Sequence, residues 1–246
     1  MTDIYDELKT KARTLWLQHG LLDEPIRVTA RALSTHEAIG NPEADDYPIQ
    51  KGKEKLMQAD FKGSLGQAFT DHYADFNGTL GEILEMPLQN NYRRSIFVAA
   101  FNAVYRYLGL VGGTIHCKDE EPVLCADKLL SYIQENHPSP EKRQLRITQI
   151  GLQPRMTEKL SPFFDMRLID LDPENIGQTK YDVNIEGPEA TDDAVNWCDL
   201  LLVTGSTIVN GTAGRFVGDK PVIFYGTSIA GPAQALGLTR FCAGSK

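Results

Sequence analysis

Two short turns rich in glycine and hydroxyl residues carry the most suggestive chemistry in this sequence. The first, residues 204–207, reads Thr-Gly-Ser-Thr and leads into Val-Asn-Gly-Thr at 209–212, and the second, residues 226–228, reads Gly-Thr-Ser. Glycine lets a ligand approach the backbone closely, and hydroxyl groups supply hydrogen bonds. The alternative is that the hydroxyls only cap helices. We predict ligand-binding residues at these positions: Gly205, Ser206, Thr207, Asn210, Thr212, Gly226 and Thr227.

The first turn follows the apolar run 200–203, which predicts a buried strand that ends at Thr204. A helix that begins there leaves backbone N–H groups pointing outward, so we expect the turn to bind the polar or anionic part of a ligand. The sequence lacks the three-glycine dinucleotide fingerprint and the phosphate-binding P-loop. A hydrolase nucleophile elbow at 226–230 would need a later histidine, and none follows His137.

A second polar cluster contains His116, Cys117 and Cys125. Imidazole and thiolate groups suit a borderline or soft metal, so these three residues are our candidate metal ligands, and we expect them to lie close together. Their spacing matches no standard zinc motif, and a structural role stays open. The implied cofactor is a transition metal ion whose identity the sequence does not give.

Asn102 is the remaining candidate ligand-binding residue. It lies in the middle of a predicted helix, 91–108, whose faces are nearly all apolar. A buried amide needs hydrogen-bond partners, which either a neighbouring loop or a ligand could supply. We expect the amide to face the 204–212 turn.

The elements that would position these residues fall into two groups. Residues 114–246 alternate short apolar strands with helices, which predicts a Rossmann-like parallel sheet. Residues 1–113 mix helices with strands and contain a long polar stretch between Gly40 and Lys55. We therefore predict an α/β protein with an N-terminal α+β domain (1–113) and a C-terminal Rossmann-like domain (114–246).

Composition limits the function classes. Hydrophobic residues make up 41% of the chain and charged residues 24%, which is typical of a globular protein, and the net charge of −8 argues against a nucleic-acid partner. The sequence shows no membrane span and no secretory leader, and its four cysteines are too scattered for a disulfide framework. We expect a cytoplasmic protein that binds a small molecule or a metal, with homo-oligomerisation left open.

Five segments together resemble a bacterial and archaeal family named for putative heavy-metal chelation, formerly a domain of unknown function. They are residues 45–48 with 51–54, 66–71, 99–103, 114–117, and 204–207 with 209–212. The resemblance implies an enolase N-terminal-like domain followed by a Rossmann-like domain, with a metal or metal-complex site in the cleft between them.

Two functional hypotheses follow. In the first, the chain binds a metal or its complex. In the second, it is an enzyme that acts on an anionic or nucleotide-like metabolite, with Lys53 and Glu54 as acid and base from the opposite domain. An exposed ion pair is the plainer interpretation of Lys53 and Glu54.

Overall fold

Two β-sheets organise the chain, and one buried helix contacts the elements of both. The computed structural model describes residues 4–29, 35–40 and 54–246. The helices in this part are α1 (Ile4–Gln18), α2 (Thr35–Ile39), α3 (Leu80–Glu85), α4 (Asn91–Tyr107), α5 (Glu121–Asn136), α6 (Pro154–Leu160), α7 (Thr191–Trp197), α8 (Thr207–Asn210) and α9 (Ala230–Leu236). Short 3₁₀ turns span Pro188–Ala190 and Ala213–Phe216.

The first sheet is antiparallel and has the strand order β3-β2-β1-β4. Its strands are β1 (Pro25–Thr29), β2 (Lys55–Phe61), β3 (Ser64–Thr70) and β4 (Phe76–Thr79). Lys55 pairs with Thr70 in the β2–β3 hairpin, so the residues just outside this pair, Glu54 and Asp71, lie at the same end of the sheet.

The second sheet has seven strands in the order β11-β10-β9-β5-β6-β8-β7. They are β5 (Arg146–Ile150), β6 (Asp165–Ile169), β7 (Thr179–Lys180), β8 (Val183–Glu186), β9 (Leu200–Thr204), β10 (Val222–Tyr225) and β11 (Arg240–Phe241). All neighbouring pairs are parallel except β7–β8. The central strands are apolar and buried, as expected for a parallel sheet that is covered on both faces.

Helix α4 connects the two sheets. It is capped by Asn90, whose Oδ1 accepts a hydrogen bond from the Arg93 N–H at 3.0 Å. It packs against β2 and β3 and also against α8 and α9, and every residue from Ser95 to Tyr105 is buried. Glycine permits close contact with β3, because a Cβ at Gly66 would lie 2.2 Å from the Ala103 nitrogen.

The predicted fold class is confirmed: the chain is α/β, with an antiparallel sheet followed by a mostly parallel one. The helix predicted from Asn91 begins there and ends one residue early, at Tyr107. The division at 113/114 and the likeness to the enolase N-terminal fold stay predictions. No described helix is long and apolar enough to cross a membrane.

Candidate functional site

The carboxyl ends of β5 and β9 form the topological switch point of the parallel sheet. From β5 the chain moves outward to β6 and β8, and it then returns to β9 on the other side of β5. The loops after β5 and β9 therefore lead away from each other, and ligands of open α/β sheets bind at such a switch point. Strand β10 pairs with β9, with Tyr225 beside Thr204, so both predicted turns follow neighbouring strands at this edge.

Several polar groups of the 204–207 turn already form hydrogen bonds within the protein. The Gly205 N–H donates to the Tyr225 carbonyl at 2.6 Å, and the Thr207 hydroxyl donates to the Thr204 carbonyl at 2.7 Å. A Cβ at Gly205 would lie 2.8 Å from the Tyr225 carbonyl oxygen, so glycine is needed here for packing. Ser206 makes no side-chain cap bond, and its Oγ lies 3.1 Å from the Thr204 Oγ1. Ser206 is thus the residue of this turn whose side chain is best placed to meet a ligand.

The 226–228 turn links the two sheets. The Ser228 Oγ accepts a hydrogen bond from the Phe69 N–H of β3 at 3.0 Å. Gly226 adopts a left-handed φ of 94°, which favours glycine, and its carbonyl accepts from the Arg240 Nε at 2.9 Å. Thr227 is fully buried, and its hydroxyl oxygen has no hydrogen-bond partner among the described residues.

Asn102 fastens this second turn to the antiparallel sheet. Its amide nitrogen donates to the carbonyls of Gln67, Thr227 and Ser228 at 2.9, 3.2 and 3.1 Å, and its Oδ1 accepts from the Gly231 N–H at 2.7 Å. The expectation that the amide faces the 204–212 turn is therefore wrong. The partner is the neighbouring loop, because α4 packs directly on α9 and the turn before it.

Asn210 and Thr212 lie at the C-terminal end of α8. Arg94 of α4 holds this end: its Nε donates to the Val209 carbonyl at 2.6 Å. The Thr212 hydroxyl and N–H both donate to the Thr207 carbonyl, at 3.5 and 2.9 Å. These contacts stabilise the helix end, and a ligand role for Asn210 and Thr212 stays a prediction.

Four carboxylates form what we call the acidic junction: Glu54, Asp71, Asp170 and Asp172. Glu54 precedes β2 and Asp71 follows β3, while Asp170 follows β6 at the carboxyl edge of the parallel sheet. Burial raises the pKa of Glu54 to about 7, and the negative charges of Asp170, Asp71 and Asp172 add to the effect. Glu54 is therefore no exposed surface residue, while Lys53, its predicted partner, lies outside the described residues.

Asp170 also organises the loops around it. Its two carboxylate oxygens accept hydrogen bonds from the Leu152 and Asp172 N–H groups, each at 2.7 Å. The loop after β5 and the loop after β6 are thereby tied together beside the switch point. Sequence reasoning missed Asp170, which lies inside the predicted strand 166–171; the observed strand β6 ends earlier, at Ile169.

Tyr225, the last residue of β10, bonds to the end of β5. It is buried, and its hydroxyl donates to the Gly151 and Ile150 carbonyls at 2.7 and 3.1 Å. Burial raises its pKa, so the hydroxyl stays protonated and acts as a donor.

We expect Tyr225→Phe to lower the free energy of unfolding by about 1–2 kcal/mol, because buried carbonyls lose their donor. Urea unfolding checks this, with the half-exposed Tyr132→Phe as control. An unchanged stability would mean that water replaces the hydroxyl.

The predicted metal ligands His116, Cys117 and Cys125 are all at least partly buried. The His116 ring packs edge-on against Phe69 at 5.1 Å, and burial lowers the pKa of His116. Burial raises the pKa of both Cys117 and Cys125, which keeps the thiols protonated. Sequence reasoning did not include Cys242, which interacts electrostatically with both thiols.

Within the described part of the chain, no three histidine, cysteine or acidic side chains lie close enough together to hold a metal ion. As arranged, His116, Cys117 and Cys125 form no metal centre, and their role as ligands stays a prediction. Two surface depressions lie around β4, and no predicted site residue lines either one.

Comparison with known proteins bears out the family resemblance. A family model described as "Putative heavy-metal chelation" (DUF364) matches residues 136–229. A DUF364 protein of unknown function from Pyrococcus horikoshii shares 16% identity, with a TM-score of 0.55, over 92% of this chain and 79% of its own. Another from Desulfitobacterium hafniense shares 14%, with a TM-score of 0.52, over 92% of this chain and 84% of its own. No curated protein matches. At this identity the solved structures show the fold alone.

Proposed function

We propose that the chain binds a metal complex, a metal ion carried by a small organic or inorganic ligand shell, at the acidic junction beside the 204–207 and 226–228 turns. The observation that carries this proposal is the placement of Glu54. The start of β2 brings this carboxylate from the antiparallel sheet to Asp170 and Asp172, beyond the carboxyl edge of the parallel sheet.

The charge of the acidic junction favours a cationic ligand. Four carboxylates that interact electrostatically attract positive charge, and the net charge of −8 adds to this field. An anionic metabolite would instead meet repulsion from the same groups. The matched family's description, which names heavy-metal chelation, supports a metal as the source of the positive charge.

The spacing of the carboxylates favours a complex over a bare ion. A bare ion needs several ligand atoms at roughly 2.0–2.6 Å, and no described group of three acidic, histidine or cysteine side chains meets that need. The same carboxylates still lie near enough to raise the pKa of Glu54. A complex that brings its own ligand shell would lie among these carboxylates and interact with them by hydrogen bonds and charge.

Calorimetry with a substitution-inert cation tests the proposal. The probe is cobalt(III) hexaammine, compared with zinc(II) and magnesium(II) ions. We expect the complex to bind more tightly than either aqua ion, and Glu54→Gln to weaken its binding about tenfold, or ~1.4 kcal/mol. The exposed Glu135→Gln on α5 is the matched control. Absence of binding by the complex, or equal loss in both variants, would contradict the proposal.

Binding should also depend on pH. Since the pKa of Glu54 is about 7, the carboxylate is mostly protonated near pH 6 and mostly ionised near pH 8. A cation binds the ionised form, so we expect the affinity for cobalt(III) hexaammine to rise about tenfold over this range. In Glu54→Gln the rise should vanish. An affinity that falls with pH would exclude Glu54 from the site.

A second candidate function is catalysis, and one observation favours it: a pKa of about 7 suits a general acid or base at neutral pH. Glu54 would then exchange a proton with a metabolite held beside Ser206. Native mass spectrometry and element analysis of protein purified without chelators distinguish the two functions. A bound organic mass free of metal favours the enzyme, and a mass that includes a metal favours the proposed binding function.

A further inference from the structure

We infer that His72 is a direct ligand of the metal in the bound complex, and that its imidazole replaces one exchangeable water of a divalent transition metal. This inference rests on the proposed function and names the kind of complex that the site takes. The observation that carries it is the contact between His72 and Asp71, a member of the acidic junction.

His72 is fixed to the end of strand β3. Thr70 is the last residue of the strand and pairs with Lys55, and Asp71 and His72 follow directly. The buried Thr70 side chain holds the backbone of His72. Its Oγ1 accepts a hydrogen bond from the His72 N–H at 3.1 Å and donates to the His72 carbonyl at 2.8 Å. The histidine is thus attached to a paired strand and not to a long loop.

Asp71 sets the orientation of the His72 ring. The His72 Nδ1 lies 3.0 Å from the Asp71 Oδ1. The same oxygen accepts a hydrogen bond from the Asn91 Nδ2 at 2.8 Å, and the Asn91 Oδ1 accepts one from Arg94 at 2.6 Å. Burial opposes ionisation of Asp71, but the hydrogen bonds from His72 and Asn91 outweigh it and lower the pKa of Asp71. Asp71 is therefore a carboxylate at neutral pH.

This contact also sets the tautomer of the ring. A carboxylate can only accept hydrogen bonds, so Nδ1 carries the proton, and the neutral imidazole has its lone pair at Nε2. A histidine that binds a metal commonly donates its other ring N–H to a carboxylate, which orients the ring and makes the ligating nitrogen more basic. The His72 side chain is 76% exposed, so Nε2 is accessible to a complex in solution.

One imidazole is enough for a metal that brings its other ligands. Across the described ranges, no three histidine, cysteine or acidic side chains could hold a metal ion by themselves. A complex with one exchangeable water needs only one nitrogen from the protein. Imidazole suits zinc, copper and nickel, whereas magnesium and calcium prefer oxygen ligands. The inferred ligand is therefore a cationic complex of a divalent transition metal with an open position.

The step is a ligand substitution. The Nε2 lone pair forms a bond to the metal, the bond between the metal and one water breaks, and the water leaves as a neutral molecule. No electron is transferred, and the charge of the complex stays the same. The Nδ1 proton stays on the ring, hydrogen-bonded to Asp71, while the carboxylates of the acidic junction balance the positive charge.

Two complexes that differ in ligand exchange test the inference at pH 8. Cobalt(III) hexaammine exchanges no ligand and reports only on charge, whereas copper(II) diethylenetriamine has an exchangeable water. We expect His72→Ala to weaken binding of the copper complex about tenfold and to leave the affinity for cobalt(III) hexaammine within about twofold. Glu54→Gln should weaken binding of both. The exposed His19→Ala is the matched control and should change neither.

Spectroscopy identifies the bond itself. The visible absorption band of copper(II) moves to shorter wavelength when nitrogen replaces water, so wild type and His19→Ala should show the shift and His72→Ala should not. His72→Asn should also lose the shift, although its amide can still donate to Asp71. In NMR spectra, a substoichiometric amount of the copper complex should broaden the His72 ring signals before those of the other four histidines.

The outcomes separate this inference from the proposed function. If cobalt(III) hexaammine binds through Glu54 but His72→Ala leaves the copper affinity and absorption unchanged, the junction binds complexes by charge alone and the inference is overturned. Copper binding that depends on His72 but not on Glu54 would place the complex outside the junction and overturn it too. Absence of binding by cobalt(III) hexaammine would contradict the proposed function itself, and the inference with it. Circular dichroism confirms that each variant is folded.

Discussion

Glu54→Gln is expected to stabilise the metal-free protein near pH 8 by about 2–3 kcal/mol. In the folded chain the pKa of Glu54 is about 7, compared with an ordinary value of 4.5. Between these two values the folded state holds a proton that the unfolded state has released, so the free energy of unfolding falls as the pH rises. Each unit of difference corresponds to roughly 1.4 kcal/mol, and glutamine carries no charge to be buried.

The gain should depend on pH, which separates it from an effect of packing. Near pH 5 Glu54 is protonated in the folded chain, so the variant should gain less than about 1 kcal/mol. Urea unfolding followed by circular dichroism, in buffer that contains a chelator, measures both values. The exposed Glu135→Gln should stay within about 0.5 kcal/mol of the wild type at either pH. A gain of equal size near pH 5 and pH 8 would mean that charge at Glu54 has no part in it.

This result would also connect stability with binding. A buried carboxylate that is costly to ionise alone becomes favourable when a cation lies beside it. Ionised Glu54 therefore lowers the free energy of unfolding of the ligand-free protein, and a bound cation offsets this loss. Wild-type protein should accordingly gain more thermal stability from cobalt(III) hexaammine than Glu54→Gln does.

Local sequence patterns predicted several elements of the fold, such as α4 and β5, but not which elements are neighbours. The alternation of apolar strands and helices after Leu145 predicts a parallel sheet, and the apolar faces of α4 predict its burial. Which strands pair is decided by contacts far apart in the chain, so the switch point between β5 and β9 was not predictable from any one segment. The two turns partly indicated the ligand-binding edge of the sheet, because each follows an apolar strand.

The acidic junction depends on such distant contacts. Glu54 stands at the end of a polar stretch, and its pKa depends on Asp170 and Asp172, more than a hundred residues later. This arrangement has no spacing or periodicity that the sequence could reveal.

Asn102→Leu is expected to lower the free energy of unfolding by about 3–5 kcal/mol. The change leaves the Gln67, Thr227 and Ser228 carbonyls and the Gly231 N–H without this partner in a fully buried position. Each unsatisfied buried group costs about 1–3 kcal/mol, and the larger apolar contact of leucine offsets part of the loss. Asn136→Leu is the matched control, since its amide bonds only the Tyr132 carbonyl of its own helix at an exposed position. Urea unfolding should show a large loss for the first variant and a change within about 0.5 kcal/mol for the second.

Because Asn102 fixes the 226–228 turn to β3, amide hydrogen exchange at Gly231 should accelerate in Asn102→Leu more than exchange in the core of β5. Uniform acceleration would identify Asn102 as a general core residue. Unchanged stability would show that Asn102 does not hold the 226–228 turn to β3.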